Sequence, residues 1–99
     1  MDDKRLWFLL SELAARLDIE VRVEPLAAED EYAVRGGLCW LRGRPVIFVE
    51  RRQEPSQRCR QLGLALQGLA LEGVYLRPAV REYLDGLASE TARPGEGED

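Results

Sequence analysis

RGGLCWLRGRPVIFVERR, residues Arg35 to Arg52, is the stretch on which the fold turns. Leu38 to Leu41 is an apolar run, Arg42-Gly43-Arg44-Pro45 interrupts it, and Val46 to Val49 resumes it. β-branched and aromatic residues on both sides of the break predict two strands. Gly43 supplies the positive φ of a tight hairpin. Pro45 suits only the start of a strand or an edge position. Both runs are apolar at consecutive positions, so the hairpin is expected to lie under helices rather than half in water.

Upstream, Arg35-Gly36-Gly37 leads into the first of these strands, and a glycine pair there predicts a bulge or a close approach of backbones. It is not a phosphate loop, because neither GxxxxGK[ST] nor GxGxxG is present and no helix follows. Ile19, Val21 and Val23 alternate with Glu20, Arg22 and Glu24, which predicts a third strand with one buried and one wet face. Pro25 ends it. Ala27 to Glu31 then forms an acidic exposed connection, whose consecutive carboxylates cannot converge on a metal. Before the strand, Leu6, Leu10, Leu13 and Leu17 recur at helical spacing, with Trp7, Leu9 and Ala14 widening the stripe. This predicts an amphipathic helix from Lys4 to Leu17, capped by Asp2 or Asp3. Trp7 and Phe8 are read as core or, being large aromatics at the margin of the stripe, as a partner contact.

Downstream, a second helix starts at Pro55 or Ser56, with Ser56 as N-cap or Glu54-Pro55 as entry. Cys59, Leu62, Ala65, Leu66 and Leu69 form its buried stripe. Gly63 is placed to let another element pack closely, and Gly73 is the expected stop. Pro78 opens a third helix carrying Val80, Tyr83, Leu84 and Leu87 on one face. The expected fold class is α+β: an N-terminal helix, a three-stranded mainly antiparallel sheet and two C-terminal helices packed on the sheet. Residues 1–88 form a single domain and 89–99 a disordered acidic tail.

Ninety-nine residues suffice for one core, which buries roughly 65% of the unfolded surface without staples. Apolar residues make up 45% and charged residues 32%, the balance of an ordinary globular domain. No apolar run approaches the about 20 residues of a membrane span, and the N-terminus reads as a helix rather than a signal peptide, making the cytoplasm the default location. Cys39 and Cys59 form no CxxC motif and are expected as free thiols.

The chain has no His and no Asn. A Ser-His-Asp triad, a Cys-His dyad and HExxH zinc chemistry therefore have no residues to work with. Neither a cofactor nor a metal is expected, and the chain reads as a non-enzyme. Net charge is −4 but split by region: residues 1–34 carry four bases and nine acids (−5), residues 35–60 seven bases and two acids (+5).

The order of helix, strand, hairpin and helix from Leu9 to Leu69 resembles the minimal core of the IrrE/ImmA-type zinc metallopeptidases. In that family a strand of the form GxxxxxxGxxVIFV precedes a helix carrying HExxH. Here that helix reads Arg58-Cys59-Arg60-Gln61-Leu62-Gly63-Leu64-Ala65-Leu66. Leu62 and Leu66 stand where the zinc-binding histidines belong and Gly63 where the general-base glutamate belongs. The resemblance implies a zincin-like scaffold without metal or peptidase activity, and no catalytic residue carries over.

The functional expectation is a non-catalytic protein-interaction or regulatory module, with a protein partner or a second copy. Its contact residues are expected to be Arg42, Arg44, Arg51, Arg52, Arg58 and Arg60, with Trp7 and Phe8. A nucleic-acid module is the alternative, with Arg on phosphate and Trp40, Phe48 and Tyr32 stacking on bases. The negative net charge and single Lys speak against it. A carboxylate enzyme built on Glu50 beside Arg51 and Arg52 is the remaining class.

Overall fold

A computed structural model describes residues 2–25 and 37–91. The elements run α1 Asp3–Arg16, β1 Glu20–Glu24, β2 Leu38–Leu41, β3 Arg44–Glu50, α2 Pro55–Gln67 and α3 Pro78–Thr91. The acidic connection at 27–31, Tyr32, Arg35, Gly36 and the tail beyond residue 91 lie outside the described residues.

The hairpin forms where the sequence places it. Arg42 and Gly43 have φ of 54° and 79°, the left-handed pair of a two-residue turn whose twist matches its strands. β2 pairs antiparallel with β3, with Leu38 opposite Ile47 and Leu41 opposite Arg44. β1 pairs on the other side of β3 and runs parallel to it, with Val21 opposite Ile47 and Val23 opposite Val49. The sheet is therefore mixed, ordered β1-β3-β2, where a mainly antiparallel one was expected. A parallel pair cannot be closed by a tight turn, and here β2 comes between β1 and β3 in sequence and pairs on the far side of β3.

Alternation along β3 sends Ile47 and Val49 into the main core, and Val46 and Phe48 to the other face, where Cys39 packs against them. Three helices build that core. Leu10, Leu13, Leu62, Leu66 and Val80 are essentially inaccessible within it. α2 lies on β3 and against α1, and α3 packs outside on α2 and α1. Cys39 and Cys59 thus sit on opposite sides of the sheet. Cys59 is buried and its thiol points at the Asp3 carbonyl (3.4 Å), whereas Cys39 is half-buried.

Local chemistry sets the helix ends. Asp2 caps α1 by accepting the Arg5 N–H at 2.8 Å. At the other end, the Ile19 N–H donates to Ala14 O and the Asp18 N–H to Ala15 O, with Asp18 left-handed at φ 64°. This paired closure turns the chain directly into β1. α2 begins with Pro55 at its first position and Glu54 as cap residue, so Ser56 is inside the helix rather than capping it. It ends at Gly68, before the expected stop at Gly73, which instead takes φ 81° in the following turn. α3 continues through Thr91, so residues 89–91, assigned to the tail from the sequence, are helical.

Gly63 performs the expected close packing. A Cβ there would lie 2.8 Å from both Leu87 Cδ1 and Tyr83 Cε2. Gly37, at φ 96°, is the close backbone approach foreseen for the glycine pair: its carbonyl accepts the Phe48 N–H at 2.8 Å, and a Cβ would stand 2.3 Å from Phe48 O. Val23 departs from the expected pattern. Its alternation marks it as buried, yet it is 39% exposed. β1 is an edge strand, and Val23 reaches beyond the helices to line a groove.

Candidate functional site

β1 and β3 end side by side, with Glu24 opposite Glu50 and the Arg51 N–H donating to Glu24 O at 3.1 Å. The first turns of α1 and α2 meet the same end. Between them lies an open groove of about 500 Å³. Trp7 from α1, Val23 from β1 and Pro55 from α2 give it apolar walls. Lys4, Arg51 and Arg58 line it with positive charge, and Asp3 is the single acid lining it among the described residues. Crevices beyond the carboxyl ends of parallel strands are a recurrent place for ligands in open sheets, and the volume falls within the roughly 300–1,000 Å³ of binding pockets.

The cations differ in how they are held. Nη1 of Arg58 donates to Gln53 O at 2.7 Å and to Arg51 O at 3.1 Å, which fixes the guanidinium across the β3–α2 turn. Neither acceptor carries a formal charge. Lys4 and the Arg51 guanidinium make no ion pair among the described residues. Among the described residues the groove therefore has a net positive lining, on an acidic protein.

The expected contact residues separate into distinct places. Arg42 and Arg44 lie at the hairpin tip, and the seven residues of β3 put about 23 Å between that end and Arg51. Arg44 lies 3.8 Å from Asp18, with both side chains largely in water. Arg52 is folded onto Glu50: its N–H and Nε–H donate to Oε2 at 2.7 and 2.8 Å, and Nη2 donates to Oε1 at 2.9 Å. Arg60 pairs with Glu90 across α2 and α3. Phe8 is 57% exposed, outside the core, with the Arg5 guanidinium 5.7 Å from its ring centre. Only Trp7, Arg51 and Arg58 of the eight line the groove. Lys4, Val23 and Pro55 carried no site signal in the sequence beyond the alternation that marked Val23 as an inward position.

The other constellations resolve into structure. Glu50, the candidate carboxylate, is occupied by Arg52, while its backbone N–H donates to Gln61 Oε1 at 3.0 Å. Gln53 Nε2 donates to the same oxygen at 2.6 Å, so the loop after β3 is stapled to α2. Leu62 and Leu66 are buried in the core and offer no ligand atom, so these positions do not fit a zinc ion. Among the described residues no group of three or more His, Cys, Asp or Glu side chains converges as a metal site, and no helix is long and apolar enough to cross a membrane. Phe48, proposed for base stacking, is 5% exposed; Trp40 is 63% exposed at the β2 edge. Comparison with protein-family models, curated proteins and solved structures finds no match to this chain.

Proposed function

We propose that the chain is a non-catalytic protein-interaction module whose contact surface is the groove at the carboxyl ends of β1 and β3. One observation carries this reading: an apolar cleft between Trp7, Val23 and Pro55 is lined by Lys4 and Arg51, neither of which has a carboxylate partner among the described residues. Large apolar side chains beside unneutralised charge are what an interface core with a polar rim requires. Occupation of Glu50 by Arg52 supports the non-catalytic side of the reading. In the same reading the scaffold is zincin-like with α2 lacking the metal-binding motif, Leu62 and Leu66 serving as core.

The test is affinity capture from native lysate with three baits. These are the wild-type chain, the Lys4→Glu/Arg51→Glu variant, and an Arg42→Glu/Arg44→Glu variant altered at the far end of the sheet. A stoichiometric protein, or a second copy of the chain, retained by the hairpin-tip variant and lost by the groove variant, is the expected result. Loss in the hairpin-tip variant alone would move the contact surface away from the groove.

A further inference from the structure

We infer that the groove receives an acidic peptide segment of a partner protein, one large apolar side chain seated between Trp7, Val23 and Pro55 and neighbouring carboxylates on Lys4, Arg51 and Arg58. The inference rests on reading the groove as the contact surface and adds the chemistry of what fills it.

Charge complementarity carries it. Among the described residues five arginines are matched with a carboxylate: Arg22, Arg44, Arg52, Arg60 and Arg77. Arg5, Arg16, Arg42 and Arg81 have no such partner among the described residues, but Arg5 lies over the Phe8 ring and Arg16 donates to Tyr75 O, while Arg42 lines a hollow with Glu20, and Arg81 one with Glu72 and Asp85. The hollow at the hairpin end also brings three cations, Arg22, Arg42 and Arg44, beside a single acid, Glu20, but Arg22 and Arg44 are paired there with Glu20 and Asp18, whereas in the groove none of Lys4, Arg51 and Arg58 has a carboxylate partner among the described residues.

Arg58 adds direction to charge. Both of its hydrogen bonds among the described residues leave from Nη1. Nε–H and the Nη2 hydrogens form a planar edge with no partner among the described residues. That edge matches the two oxygens of a carboxylate, and the carbonyls of Arg51 and Gln53 have already fixed its orientation. Less side-chain freedom is therefore lost when an acid binds. A neutral or basic segment closing over the groove would strip water from these cations and leave them unmatched. The apolar walls set the second requirement, since Val23 and Pro55 gain only from a side chain that displaces water from them.

Selection of peptides from a random-sequence display library on the immobilised full-length chain tests this, repeated on Arg51→Glu and on Val23→Asp. Both altered residues are exposed, and far-UV circular dichroism verifies that each variant folds. The expected winners carry Asp or Glu beside Leu, Phe or Trp. Measured by fluorescence anisotropy, they weaken about tenfold or more with either variant and weaken further as salt rises. Winners without acidic bias that are still lost with Val23→Asp would overturn the acidic partner and leave the groove as the contact surface. Winners indifferent to both variants, or no winners, would overturn both.

Discussion

Gly37 and Gly43 lie at opposite ends of β2, both with positive φ, and replacing each by Ala separates backbone strain from steric contact. For Gly43→Ala the only cost is the left-handed conformation, about 1–2 kcal/mol for an L-residue, because nothing lies within 4 Å of the new Cβ. Gly37→Ala carries a comparable conformational cost and then meets Phe48 O at 2.3 Å. That oxygen belongs to the backbone of β3 and cannot rotate aside. The strands must separate, straining the Phe48 N–H to Gly37 O hydrogen bond, worth about 0.5–1.5 kcal/mol, in addition to an overpacking cost of about 1–3 kcal/mol. Gly37→Ala is therefore expected to destabilise by at least about 3 kcal/mol, and by about 2 kcal/mol more than Gly43→Ala. Urea unfolding followed by circular dichroism gives both values, with equal m-values required for the comparison. Costs equal within about 0.5 kcal/mol would refute the β2–β3 register at Gly37.

Gly63→Ala and Gly86→Ala should differ in sign. Gly86 faces open space, so Ala there should stabilise α3 by about 1 kcal/mol, whereas the clash with Tyr83 and buried Leu87 should turn the same gain at Gly63 into a net loss of about 1 kcal/mol in urea unfolding; a stabilising Gly63→Ala would contradict the α2–α3 contact. Hydrogen bonding from Arg77 holds the Glu12 carboxyl below its usual 4.5. A depressed pKa contributes stability above the unfolded value that is lost as pH falls through the folded one. Wild type should therefore lose more stability than Glu12→Gln on going from pH 7 to below pH 4.5, and parallel acid limbs in urea titrations at each pH would exclude the contribution. Burial pushes the Cys59 thiol up, so dithionitrobenzoate at pH 8 should label Cys39 first and Cys59 only on unfolding; rapid labelling of both would contradict the placement of Cys59 in the core.

The hairpin and helices were legible because their signals are local. Gly43 between two apolar runs is sufficient for a tight turn, and stripes such as Leu6, Leu10 and Leu13 fix both a helix and its inward face. The parallel pairing of β1 with β3 was not legible, since alternation gives a strand its faces and not its neighbour. Val23 shows the same limit: its period placed it inward, but how far the helices extend over β1 depends on α1 and α2 together. End signals competed at α2, where Gly68 closed the helix before Gly73. The groove was legible only in part. Regional charge sums grouped Arg42 with Arg51 because they are close in sequence, whereas β3 holds them apart. Lys4 and Arg51 lie far apart in sequence and share the groove because the first turn of α1 comes to the end of the parallel strands.

The most direct measurement is a ¹⁵N–¹H correlation spectrum of the labelled chain, titrated with the partner or peptide recovered by selection. The account predicts that the Trp7 indole N–H and the amides of Lys4, Val23, Arg51 and Arg58 shift together and saturate at one concentration, while those of Arg42 and Arg44 stay in place. Saturable shifts centred on the hairpin tip or on the outer face of α3, with Trp7 unmoved, would contradict it.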